Sequence, residues 1–177
     1  MTYANSRSEQ NLWAAFNAES AAYVKYKIFA DFARGQGYEK IAAVLDETAK
    51  NELAHATIWF NELKQPGDVA ANLKKALDAE YAEWTHEYPE FERVAREENF
   101  APLADLFARV AGIEQMHQKR FQTLLDQVQE GQVFARSTPQ AWHCRHCGYA
   151  HMGTEAPKQC PTCKHPQSYF EIMPKES

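Results

Sequence analysis

"DETAKNELAHATIWF", residues 46–60, sets Glu52 and His55 three positions apart, and "AGIEQMHQKRF", residues 111–121, does the same with Glu114 and His117. On a helix, positions i and i+3 share one face. That face also carries Leu45, Ile58 and Trp59 around the first pair, and Val110 and Phe121 around the second. Both pairs are therefore expected to point into a core. A lone ionised carboxylate in a core is costly, or shifts its pKa, unless it is paired or binds a metal. One such pair on a helix is readily an exposed accident; two facing inward need a joint explanation.

The residues around them predict four long helices. The first opens at "SRSE", where Ser6 and Glu9 fit a capping box, and stops at Gly35 and Gly37. The second runs from about Tyr38 to Leu63, before "QPGD". The third begins near Val69 or later and reaches about Glu98, with a kink expected at Pro89. The fourth opens at "APLADLF", with Pro102 in its first turn, and ends near Gly131. Long helices on short loops suggest a four-helix bundle over residues 1–131. "GQVFARSTPQ" reads as a linker, placed at 132–140, before a small domain at 141–177.

The first and third helices supply further carboxylates, Glu19 in "AFNAESAAYVKY" and Glu80 and Glu83 in "LDAEYAEWTHEYPEF". A Glu from each of two helices and Glu-x-x-His from each of the other two is the ligand set of a di-iron or di-manganese carboxylate bundle. The helical arms from these acids to the turns match at about 1.5 Å per residue, so the ligands fall at one level. The chain repeats itself: Glu19 precedes its Glu-x-x-His by 33 residues, Glu80 by 34. Oxygen-rich ligands with two imidazoles suit iron or manganese. Glu80 and Glu83 give one acid beyond the minimum, unless one is a solvated surface acid. Tyr26 and Tyr88 fall near the faces of these acids, either as donors to ligand carboxylates or as core tyrosines.

"CRHCGYAHMGTEAPKQCPTC", residues 144–163, holds all four cysteines, so Cys144, Cys147, Cys160 and Cys163 read as one tetrahedral metal site and not as disulfides. Spacing alone admits a structural zinc ribbon. Gly148, after the first knuckle, permits a turn that aims N–H groups at sulfur, and Trp142, Tyr149 and Phe170 can cover the site. Both features tune an iron centre. His143, His146, His151 and His165 are expected to be solvated. Acids outnumber bases 24 to 19, which disfavours nucleic acid and anionic lipid as partners. No apolar run is long enough to span a membrane. The N-terminal "MTYANSRSEQNLW" has no signal core, so a cytoplasmic location is expected.

On "AES", "DETAKNELAH", "AEYAEWTHEYPEFERVAREE", "GIEQMHQKRF" and "WHCRHCGYAHMGTEAPKQCPTCKHPQSYFEI", the chain resembles the rubrerythrins. The resemblance implies an all-α ferritin-like bundle followed by a rubredoxin-like four-cysteine metal domain. It implies a di-iron site ligated by Glu19, Glu52, Glu80, Glu83, Glu114 and His117, with Glu52 and Glu114 bridging. His55 would exchange with Glu83 at one iron as the oxidation state changes. It further implies mononuclear iron on the cysteines, which a foreign host can replace with zinc. The implied reaction is reduction of hydrogen peroxide to water, with electrons relayed through the cysteine-bound iron from a rubredoxin or an NAD(P)H-dependent reductase. Glu83, able to shift and deliver a proton, with Tyr26 and Tyr88 beside it, makes the catalytic set. Lys164 departs from the pattern, since isolated rubredoxins tend to have Gly there. The alternatives are a ferritin-like iron oxidase or store with a zinc ribbon, and a non-enzymatic zinc-ribbon module on a bundle.

In ferritin-like bundles the second and third helices run parallel, so their link must travel the length of the bundle. The arms beside Glu52 and Glu80 call for about 34 Å, and about six linking residues reach roughly 21 Å. The third helix can start late, near Asp78; the bundle can run up-down-up-down; or two chains can exchange helices. The expectation is a homodimer swapped between the second and third helices.

Overall fold

The computed structural model describes residues 3–173. The chain divides after Gly67 into two compact units. The first is a helical hairpin, α1 (Arg7–Gly35) and α2 (Glu39–Glu62). Ser6 caps α1 by accepting the Glu9 N–H at 3.1 Å. The Glu9 carboxylate accepts from Asn5 N–H, at 2.7 Å, one residue before the position a capping box requires. Alanines at 30, 42, 49 and 56 are buried along the hairpin and let the two helices lie close. Phe16 stacks on Phe60 at 4.9 Å, and Asp46 accepts from both Lys27 and Arg34 across the pair.

The second unit repeats this plan with α3 (Val69–Ala82), a π-helical turn (Glu83–Glu87), α4 (Tyr88–Glu97) and α5 (Ala101–Gln129). Its turn into α5 copies the turn into α2. Tyr38 N–H donates to Ala33 O and Phe100 N–H to Ala95 O, at 2.9 and 2.8 Å. Gly37 (φ 82°) and Asn99 (φ 66°) take the same left-handed place. From Glu39 to Glu52 and from Ala101 to Glu114 is thirteen residues in both. From Glu19 to the end of α1 is sixteen, and from Glu80 to the end of α4 seventeen. The extra residue falls in the segment that holds the π turn, where Tyr88 N–H donates to Glu83 C=O five residues back. The one-residue difference between the repeats is thus a π bulge. A smooth helix kinked at Pro89 was expected; the looser turn lies just before the proline, which has no N–H to offer.

The C-terminal part of this unit is a three-stranded antiparallel sheet, order β2-β1-β3. β1 is Ala135–Cys144, β2 Ala150–Glu155 and β3 Phe170–Ile172. β1 takes up most of the expected linker at 132–140. Its register slips between Ala135 and Gln140, which accommodates Pro139, a residue unable to donate to a ladder. Trp142, Cys144, Ala156, Cys160 and Phe170 form the buried core, with Tyr149 and Ile172 packed against it.

No helix among the described residues is long and apolar enough to cross a membrane.

Candidate metal centres

Among the described residues, three clusters of potential ligands arise. In the first unit, one turn of α2 puts His55 Nδ1 3.0 Å from Glu52 Oε2. Glu19, on the facing turn of α1, brings its Oε1 to 3.9 Å from the same nitrogen. In the second unit, α5 puts His117 Nδ1 2.7 Å from Glu114 Oε2, and Glu80 of α3 lies 3.5 Å away. Each trio offers three ligand atoms within 4.8 Å of one another. The carboxylates are largely covered, but His55 and His117 remain 50% and 41% exposed. The expected burial of both pairs in a core is therefore not met within either hairpin, because a two-helix layer covers its inner face on one side only.

Electrostatics show what these clusters lack. The hydrogen-bonded contact with Glu52, then burial, raises Glu19 above the ordinary carboxylate range, and His55 opposes this. Burial, then the adjacent Glu114, raises Glu80. Glu80 Oε2 is buried without a hydrogen-bond partner. Crowded acids with an orphaned oxygen and an imidazole nitrogen turned towards them are the donor set a cation completes. Oxygen-rich, with one imidazole each, the trios fit iron.

Glu83 lies outside the second trio, at the first residue of the π turn. Burial and then Glu114 raise its pKa, with Glu87 adding to the effect. Glu87, one helical turn on, was not singled out by spacing; only its place in the same acid-rich turn marked it. Tyr88 is raised by burial and then by Glu114, Glu83, Glu87 and Glu80, which sets its phenol among these acids. Tyr26 is half-buried two turns beyond Glu19 on α1. Among the described residues, neither phenol donates to a ligand carboxylate.

The third cluster joins two knuckles. Cys144 Sγ lies 3.7 Å from Cys163 Sγ, and Cys147 Sγ 3.6 Å from Cys160 Sγ. Gly148, at φ 78°, closes the first knuckle through its N–H to Cys144 O. Lys164, at φ 63°, closes the second in the same way onto Cys160 O. Burial works to raise the Cys160 thiol, but the N–H groups of Cys163 and Thr162 and the neighbouring thiols bring it down to about 7. The His165 N–H points at Cys163 sulfur. N–H···S bonds and the cover of Trp142 and Phe170 are what a redox-tuned iron–thiolate centre requires.

The four histidines nearby are less solvated than expected. His146 alone is exposed. His143 sits on β1 with Nε2 3.2 Å from Glu171 and Nδ1 buried. His165 is half-buried because it stacks on His146 at 3.8 Å and meets Tyr169 edge-on. His151 is half-buried on β2.

The Rubrerythrin family model matches residues 10–125, and the model for the rubrerythrin rubredoxin-like domain matches residues 142–171. The chain belongs to the rubrerythrin family. A rubrerythrin of Porphyromonas gingivalis is 41% identical over 95% of this chain and 90% of its own length. A rubrerythrin of Nitratidesulfovibrio vulgaris is 38% identical over 95% of each. Nigerythrin of the latter organism is 33% identical over 91% of this chain and 84% of its own. Among solved structures, nigerythrin in its partially reduced state aligns with 97% of this chain and 92% of its own at 28% identity, with a TM-score of 0.37. Membership establishes a ferritin-like helical bundle with a rubredoxin-like domain, and a di-iron oxidoreductase of oxidative-stress defence.

Proposed function

We propose that this rubrerythrin is a peroxidase: hydrogen peroxide, two protons and two electrons give two molecules of water. The observation that carries this reading is a four-cysteine centre, with Cys144 and Cys160 buried, on the same chain as two carboxylate–imidazole trios. A site that only stored or oxidised iron has no use for an electron-transfer centre. Bound iron would supply the two electrons, one from each ion of a pair, which avoids a free radical.

The chain's own residues do the rest. Glu19, Glu52, Glu80 and Glu114, with the Nδ1 atoms of the histidines, would hold the two ions. Glu83 is left outside its trio, with a carboxyl made readier to keep a proton by burial and by Glu114. It would hand that proton to a departing hydroxyl oxygen. Tyr88, raised by burial and then by the same acids, would stay protonated and available as a donor near them. The four-cysteine centre would pass electrons inward from a rubredoxin or an NAD(P)H-dependent reductase. Thiols grouped for a metal suit the reducing cytoplasm, where the reaction would run.

The test is metal analysis and a visible spectrum on anaerobically purified protein, followed by turnover. Three irons per chain and thiolate-to-iron absorption are expected, and Cys144→Ser should remove that absorption. Glu52→Ala or Glu114→Ala should abolish peroxide reduction and leave the thiolate bands in place. Turnover within about twofold of the parent in either variant would refute the assignment.

A further inference from the structure

Cys147 is the exposed member of the four-cysteine set; Cys163 is half-buried, and Cys144 and Cys160 are buried. A donor outside the protein therefore comes closest to the centre at the Cys147 edge. An aromatic rim lies beside that edge. His146, next to Cys147 on the first knuckle, stacks on His165 of the second at 3.8 Å between ring centres, and Tyr169 meets both edge-on. Arg145 N–H donates to Tyr169 O at 2.8 Å and ties the first knuckle to that tyrosine. His146 and Tyr169 are exposed. A cleft of about 410 Å³ beside them is lined by Arg145, His146, Ser168 and Tyr169.

The charge of this rim runs against that of the chain. Residues 1–140 carry 15 Lys and Arg against 21 Asp and Glu, whereas residues 141–177 carry 4 against 3. Two of those four cations border the knuckles: Arg145 stands between Cys144 and Cys147, and Lys164 follows Cys163. The Arg145 side chain is 67% exposed and shares Glu171 with His143, at 3.5 and 3.2 Å. Lys164 is exposed, and its Nζ donates to Pro161 O. Among the described residues, no carboxylate pairs with it. Aromatic rings and arginine are enriched where proteins meet, and interfaces for electron exchange are small. A guanidinium in a cleft takes a carboxylate through two N–H bonds.

Resting on the electron-relay reading above, we propose that this rim is the docking face for a small acidic electron-carrier protein. A carboxylate of the carrier sits in the Arg145 cleft, and its redox centre approaches over the His146–His165 stack. One electron passes per encounter: the carrier is oxidised by one electron, the cysteine-bound ferric iron becomes ferrous, and no proton or bond changes hands. The acidic helices turn such a carrier away and leave this rim as the face that receives it.

The test uses the intact iron-loaded protein with an acidic rubredoxin as carrier. With peroxide in excess, the return of the carrier's iron–thiolate colour gives kcat/KM for the carrier. Calorimetry on the two oxidised proteins gives their Kd without turnover. Both proteins are net negative, so an encounter ruled by net charge speeds up as salt screens the repulsion. Docking on the rim requires the reverse, a fall of about threefold or more between about 20 and 200 mM salt. Arg145→Glu with Lys164→Glu should lower kcat/KM at low salt by about tenfold or more, raise Kd by a similar factor and remove the salt response. Lys74→Glu with Lys75→Glu makes the same change of net charge on α3 and should stay within about twofold of the parent. Photoreduced riboflavin, too small to need a docking face, should bleach the cysteine-bound iron at the same rate in all three proteins. If the rim variant does not hold its iron colour, the salt response of the parent decides. A parental rate that rises with salt overturns the docking face. So does a rim variant within twofold of the parent, or a riboflavin rate that falls as far as the carrier rate. A parent that riboflavin bleaches but rubredoxin cannot reduce overturns the relay reading itself, and the docking face with it.

Discussion

Asp46 accepts from Lys27 and from Arg34 and ties α1 to α2. The Lys27 contact first, then Arg34, hold its carboxyl below the usual range. A depressed carboxylate stabilises the fold above its unfolded pKa of about 4, and that share is lost as pH falls through the folded value. Asp46→Asn should therefore melt below the parent at pH 7, with the gap closing as pH falls below about 4. Equal gaps at pH 7 and pH 2.5, measured on metal-free protein, would sink this. Lys164 holds a left-handed φ of 63°, which costs a non-glycine residue about 1 kcal/mol. Lys164→Gly should raise the denaturant midpoint for loss of the thiolate–iron colour by about that amount; a lower midpoint would mean its Nζ bond to Pro161 O is worth more than the strain. At this scale the sequence was readable wherever a residue acts through its neighbours along the chain. Ser6, Gly148 and the Glu-x-x-His pairs are such cases. It was not readable for the histidines, since His143 is decided by Glu171 on another strand and His165 by the ring of His146 in the other knuckle.

The π turn is a feature of elements, not residues. Spacings of 33 and 34 residues already held its signature, but a one-residue excess has no address until both turns are superposed. β1 was similarly hidden, because "ARSTPQ" is polar and contains proline and only its pairing with β2 makes it a strand. The bulge turns α4 by about 100° relative to a regular continuation of α3. It is what sets Tyr88 beside Glu83 and Glu114. Deleting Thr85 should restore a continuous α-helix and the 33-residue spacing. Helical content should hardly change, while Tyr88 rotates off the acids and Glu80 slides about 1.5 Å relative to Glu114. A displacement of that size can cost about a hundredfold in rate. Turnover within threefold of the parent would show that the bulge is ornamental to the chemistry.

At the scale of the molecule, the helices bury little by themselves. Among the described residues, their buried side chains are alanines with Leu77 and Leu125, too few for independent stability. The four-helix bundle was legible because apolar residues and acids share one face in both halves. Leu106 and Met116 test which face is covered. Both lie on α5 and are similarly open in the single chain, at 51% and 60%. Leu106 precedes Glu114 by eight residues and shares its face; Met116 follows by two and lies on the opposite side. Leu106→Lys should place a charge on the face that carries Glu114. It loses the burial of a leucine, about 2 kcal/mol, and adds the desolvation of an ammonium. Met116→Lys should shift the melting temperature by no more than about 2 °C, the scale of an ordinary surface change. Leu106→Lys should lower it by about 5 °C or more and release bundle iron first. If the two variants melt together, the face beside Glu114 is not covered in the assembled protein, whichever chain was expected to cover it.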